Sequence, residues 1–235
     1  MMNVLEIQHL SKQFGTHQVL RDLTFQVPEH SVYGFLGQNG AGKTTTMKII
    51  LGLLKADKGE VKVLGETVRY GFAKTNRRVG YLPDVPEFYG YMKAEQYLRL
   101  CGEITGLSAK EICSRSEELL SLVGLSEEKK KIRGYSRGMK QRLGIAQALL
   151  NEPGLLICDE PTSALDPLGR KEILDILSKV REKTTVLFST HVLSDVERIC
   201  DRAAVLKDGS LALSGSLEEL KAQHRKDSLL SLIHI

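Results

Sequence analysis

The spacing of apolar residues along this chain changes period several times, and each change predicts an element. Between positions 4 and 27 apolar and polar residues alternate, through Val4, Leu5 and Ile7, then Val19 to Leu23, then Phe25 and Val27. A period of two predicts antiparallel strands, with turns near Gly15-Thr16 and Pro28-Glu29. Residues 32–36 and 155–158 are apolar runs, and 185–189 reads as a third buried strand, as in the centre of a parallel sheet. A helix is expected over 46–54, then a turn at Asp57-Lys58-Gly59 and short strands over 60–64 and 78–82.

From Pro83 to about Gly124 the period becomes helical, with Tyr97, Leu98, Cys101 and Ile104 on one face. Ser108 and Glu111 form a capping box for a helix that stops at Gly124, and a further helix is expected over 136–150. Asp166-Pro167 supplies an N-cap and a first-turn proline for a helix over 168–181. Ser194 with Glu197 predicts another helix start, residues 203–206 and 211–213 flank an Asp208-Gly209 hairpin turn, and Ser216 with Glu219 caps a last helix. The pattern is an alternating α/β chain with a helical insertion.

At 235 residues the chain is long enough for one large domain with a substantial core. Its net charge of +4 comes from basic residues interleaved with acidic ones, which argues against a nucleic-acid surface. The run Lys129-Lys130-Lys131 follows Glu127-Glu128 and reads as a solvated face. The four cysteines are dispersed and three lie in apolar stretches, so buried free thiols in a reducing, cytoplasmic setting are expected. No segment approaches the roughly 20 apolar residues that cross a bilayer, and the first dozen residues lack the apolar core of a signal peptide. Any work at a membrane therefore calls for a partner there. Residues 228–235 are apolar without helical or strand logic and read as either a docking tail or a non-native terminus.

Chemistry enters with Gly37-Gln38-Asn39-Gly40-Ala41-Gly42-Lys43-Thr44-Thr45, set between an expected strand and an expected helix. It matches the phosphate-loop pattern G-x-x-x-x-G-K-[ST]. The glycines let successive N–H groups converge, and the following helix turns its positive end towards bound phosphate. Lys43 would reach the β- and γ-phosphates, and Thr44 would offer its hydroxyl to Mg²⁺. The strand over 155–158 ends in Asp159-Glu160: the first acid suits Mg²⁺, and the second suits a general base for the attacking water.

These stretches, with Tyr135-Ser136-Arg137-Gly138-Met139-Lys140-Gln141-Arg142, Pro161-Thr162-Ser163-Ala164-Leu165-Asp166 and His191, resemble the ordered motif set of ABC-transporter ATPases over about residues 4–220. The resemblance implies a P-loop NTPase core with a mixed central sheet, an N-terminal antiparallel β subdomain and an inserted α-helical subdomain. It places the domain at 1–227, with the core at 1–84 and 151–222 and the helical subdomain at about 85–150. It implies that the signature segment, Ser136, Arg137, Gly138 and Met139, meets the γ-phosphate held by a second subunit. Asp166 then belongs to the dimer-contact loop, His191 is the switch histidine, and Phe14 stacks on adenine.

Three positions depart from the family pattern. Arg137 stands where a second glycine is common, Met139 where glutamine is common, and Gln38 where proline is frequent. A fourth difference follows Val79-Gly80-Tyr81-Leu82-Pro83, where Asp84 replaces the glutamine that senses Mg²⁺, and a metal contact through its carboxylate is expected. The resemblance implies an ATPase that binds Mg-ATP, pairs with a second copy or homologous subunit, and drives a separate membrane permease from the inner face of the membrane. Export of a drug, bacteriocin or lipid is the leading expectation. An importer subunit, or a soluble ABC ATPase acting on ribosomes or DNA, is the alternative.

Overall fold

A computed structural model describes residues 2–72 and 74–223. The chain runs β1 (Asn3–Phe14), β2 (His17–Pro28), β3 (Val32–Gly37), α1 (Lys43–Ile50), β4 (Lys58–Val63), β5 (Glu66–Thr67) and β6 (Val79–Leu82). It continues through α2 (Ala94–Thr105), α3 (Ala109–Leu122), α4 (Arg137–Leu149), β7 (Leu155–Cys158), α5 (Pro167–Val180) and β8 (Thr185–Thr190). The last elements are α6 (Leu193–Ile199), β9 (Arg202–Lys207), β10 (Ser210–Ser216) and α7 (Leu217–Gln223).

Two sheets result. One is antiparallel, ordered β2-β1-β4-β5, and the other is mixed, ordered β10-β9-β3-β8-β7-β6. In the mixed sheet β9, β3, β8, β7 and β6 run parallel, and β10 returns antiparallel through the Asp208-Gly209 turn.

The central strands are buried on both faces, which explains the apolar runs of β3 and β7 and the Val186–Phe188 centre of β8, whose polar residues lie at its two ends. Because side chains alternate along a strand, each one divides between two cores. Val32 and Leu36, Leu156 and Cys158, and Val186 and Phe188 pack with the helices. Tyr33 and Phe35, Leu155 and Ile157, and Leu187 pack with α1 and the antiparallel sheet. Phe25 of β2 stacks on Phe35 with ring centroids 5.4 Å apart, tying the two sheets together.

Register then decides where the chemistry lies. Leu36 pairs with Thr190, Phe188 with Cys158, and Cys158 with Leu82. The carboxyl ends of β3, β8, β7 and β6 therefore share one sheet edge, where ligands bind in open parallel sheets. The glycine loop, His191, Asp159-Glu160 and Asp84 follow those four ends.

Several local expectations need correction. The first helix begins at Lys43 and ends at Ile50, where 46–54 was expected. Ser194 lies inside α6: the helix opens one residue earlier, after Val192, whose N–H is held by Thr190 Oγ1 at 3.0 Å. Ile104 is 75% exposed. The buried face of α2 is Ala94, Tyr97, Leu98 and Gly102, and a Cβ on Gly102 would come within 2.6 Å of Ile112, so close helix contact takes the place of an isoleucine. Of the cysteines only Cys158 is fully buried, Cys101 and Cys200 are partly covered, and Cys113 is exposed. The capping boxes at Ser108 and Ser216 are present. The tail at 228–235 lies outside the described residues.

Candidate active site

The loop between β3 and α1 is built for close approach of backbone to backbone. A Cβ on Gly37 would lie 2.6 Å from the Leu206 carbonyl oxygen. Gly42 has φ +109°, and a Cβ there would lie 2.5 Å from Leu20, so only glycine fits. Gly42 is also the N-cap of α1, and no side chain caps the helix there. The helix start keeps its donors and positive dipole end for an anion. Gln38, Asn39 and Gly40 form the exposed tip, Ala41 to Lys43 are buried, Thr44 is exposed and Thr45 half-buried. The Lys43 ammonium is folded back beneath the loop, donating to the carbonyls of Gly37 at 2.6 Å and Gln38 at 3.2 Å.

Four residues from the neighbouring strand ends join this loop in one connected group. Thr44 Oγ1 donates to Asp159 Oδ2 at 2.8 Å, and Ser189 Oγ donates to Asp159 Oδ1 at 2.7 Å. Ser189 Oγ also accepts the backbone N–H of Glu160 at 2.9 Å. Lys43 Nζ lies 3.1 Å from Glu160 Oε1, an ion pair without hydrogen-bond alignment. His191 Nδ1 lies 2.9 Å from Glu160 Oε2; with the carboxylate ionised, the ring nitrogen is the donor. Asp159 is buried and Glu160 nearly so, while almost half of the His191 side chain faces solvent. Glu160 takes a left-handed backbone, φ +48°, which turns its side chain from the strand into this group.

The site thus offers an anion-binding loop, a lysine, a hydroxyl next to a buried carboxylate, and a second carboxylate steadied by a histidine. Thr44 and Asp159 are hard oxygen donors in contact, the donor chemistry that Mg²⁺ takes beside phosphate. Among the described residues no three His, Cys, Asp or Glu side chains cluster as a metal site, so a metal here would depend on substrate oxygens as well.

The same motifs and the same fold recur in known proteins. A family profile described as ABC transporter matches residues 20–163. The ABC transporter ATP-binding protein YxlF of Bacillus subtilis is 46% identical over 224 residues, covering 94% of this chain and 74% of that protein. The bacitracin transport ATP-binding protein BcrA of Bacillus licheniformis is 39% identical over 229 residues, covering 96% of this chain and 74% of that relative. A solved ATP-binding subunit of an ABC transporter superposes with a TM-score of 0.86 at 35% identity, covering 97% of each chain.

This chain is an ABC transporter ATP-binding protein.

As a member of that family it is an ATPase with a P-loop NTPase fold, whose hydrolysis powers transport. The remaining expected residues of the ABC protein make other contacts. Phe14, at the end of β1, is 48% exposed, with the Lys12 ammonium 5.2 Å from its ring centroid. It is an open aromatic face rather than a core side chain. Ser136 caps α4, accepting the Met139 N–H at 3.2 Å. Arg137 is exposed beside it, and a Cβ on Gly138 would lie 3.9 Å from Leu165. Asp166 caps α5 through the Gly169 N–H at 2.9 Å and is itself exposed. Among the described residues no hydrogen bond or ion pair joins Ser136, Arg137, Gly138 or Met139 to the glycine loop.

Asp84 follows the end of β6. Its carboxylate contacts Arg137, 3.2 Å away, and its carbonyl accepts from the Gln141 amide at 2.6 Å.

Sequence reasoning missed two groups. Ser189 links both acids, and its signal was a polar residue closing an apolar strand. Asp195 accepts from Thr162 Oγ1 at 2.7 Å and from Arg170 at 2.7 and 2.9 Å, and is 2% exposed. It fastens the segment before Asp166 to α5 and α6, and only the folded arrangement reveals it.

Proposed function

We propose that two copies of this ABC protein close on two Mg-ATP molecules, each held by the loop of one copy and the signature segment of the other, and that closure drives a membrane permease. The observation that carries this reading is a division of the chemistry. Lys43, Thr44, Asp159, Glu160 and His191 form one connected group, while Ser136 and Gly138 stand apart from it on an exposed helix start. A single chain therefore presents a loop without a signature and a signature without a loop, and two-fold symmetry joins each to its complement.

In this reading the loop N–H groups and Lys43 bind the phosphates, and Phe14 packs on the base. Thr44 and Asp159 hold Mg²⁺, which when bound would offset phosphate charge. Glu160 takes the proton of the attacking water, with His191 fixing its second oxygen. The start of α4, capped by Ser136, offers the incoming γ-phosphate a helix dipole and the close approach that Gly138 permits. Asp166 shapes the dimer contact from the neighbouring loop. Residues 1–227 act as one domain, with the block at about 85–150 passing closure to the permease from segment 84–91. Tyr89 and Tyr91 are exposed there and Val85 beside them, a surface suited to a partner. Similarity to the bacitracin transport proteins supports export, at the inner face of the membrane.

Complementation tests the shared site. Lys43→Ala and Gly138→Asp chains should each be inactive, and an equal mixture should regain a fraction of the parent rate, because one intact composite site forms. A mixture as inactive as its parts would contradict the shared site.

A further inference from the structure

Asp84 and Arg137 both depart from the family pattern, and the fold brings these two departures into contact. Arg137 Nη2 lies 3.2 Å from Asp84 Oδ1, bridging the segment after β6 to the first residue of α4, 53 positions later. A second link runs alongside: wholly buried Gln141, one turn further into α4, donates to the Asp84 carbonyl at 2.6 Å. Asp84 and Arg137 are walls of a groove of about 490 Å³, lined also by Val85, Pro86, Phe88 and Lys140.

We infer that Asp84 and Arg137 act as a complementary positioning pair, in which Asp84 holds the start of the signature helix of its own chain and serves no metal. The inference rests on the proposed role of that helix start in closing over a second copy's ATP. Two features argue for it. A lone aspartate at position 84 would repel phosphate, and a lone arginine at 137 would be drawn to it; pairing neutralises both in the resting arrangement. The pair also makes the groove wall and the helix start one electrostatic unit, so displacement of segment 84–91 by a docked partner pulls directly on Arg137. Both side chains are partly exposed, 45% for Asp84 and 42% for Arg137, so the coupling is modest, a factor of about two to five.

A double-mutant cycle on the full chain reads this coupling. Steady-state ATP hydrolysis would be measured for the parent, Asp84→Asn, Arg137→Gln and the double variant, titrating ATP and, separately, Mg²⁺. The pair predicts that each single change lowers kcat about two- to fivefold with little change in KM. The double variant should be no slower than the slower single. Unchanged rates in both singles, or losses that multiply in the double, overturn the pairing. So does a rise in the Mg²⁺ needed for half-maximal rate in Asp84→Asn alone, which would make Asp84 a metal contact. Specific activity of the parent that stays independent of protein concentration even at high dilution would strike the dimer reading instead, while the cycle would still report whether the two residues are coupled.

Discussion

Ser189 Oγ donates to Asp159 Oδ1 at 2.7 Å and, through its lone pairs, holds the backbone N–H of Glu160 at 2.9 Å. One hydroxyl from β8 thereby holds the Asp159 carboxylate and the Glu160 backbone at the end of β7. Ser189→Ala removes both bonds and leaves a carboxylate oxygen buried without a donor. Partners of this kind are worth roughly 10- to 100-fold in activity, and that loss in kcat is expected with secondary structure unchanged by circular dichroism.

Lys43 is the buried cation of the group, with its ammonium between loop carbonyls and Glu160. Removing it takes away a charge-assisted contact to phosphate. Lys43→Ala should weaken ATP binding by about 10- to 100-fold, as read by equilibrium titration with a fluorescent nucleotide. Unchanged affinity would remove the phosphate role from this loop.

Asp195 is buried, and both oxygens are used by Arg170 and Thr162. Asp195→Ala leaves the guanidinium without its partner. Because Arg170 keeps part of its side chain in solvent, the expected cost is about 2–4 kcal/mol, measured by urea unfolding. A cost near zero would mean that this network does not hold the loop before Asp166.

The four thiols differ in reach and in ionisation. Burial pushes the Cys158 thiol far above its usual range, and a hydrogen bond to Glu117 raises the exposed Cys113. The thiolate is the reactive form, so a raised pKa means a smaller reactive fraction at neutral pH and labelling that speeds up as pH rises. A maleimide followed by mass spectrometry should modify Cys113 first in the native protein, with a rate that climbs between pH 7 and 9, and Cys158 only after unfolding.

The legibility of this chain followed how local each signal was. Residues 37–45 carry their chemistry in the order of the letters, and the capping pairs at Ser108 and Ser216 are complete within four positions. Central strands were readable because burial on both faces leaves a short unbroken apolar run in each, as in Leu155–Cys158 and at Val186–Phe188. Ile104 was misplaced because its helical spacing is correct but Gly102 lets α3 approach more closely on a neighbouring face. Ser194 was misread as a cap because Asp195 is drawn inward by residues from positions 162 and 170, a pull that local spacing does not contain. The contact between Asp84 and Arg137 spans 53 positions, so local spacing does not contain it.

Glu160 carries the central claim, since it joins Lys43, Ser189 and His191 and is the residue proposed to activate the water. The most direct measurement is the mass and turnover of Glu160→Gln with Mg-ATP, by light scattering alongside phosphate release. Loss of the base should lower turnover by about 10²- to 10⁴-fold while ATP binding persists, and the chain should run as a dimer that reverts to monomer once nucleotide is withdrawn. Full turnover in that variant, or a protein that binds ATP and stays monomeric, would contradict the account.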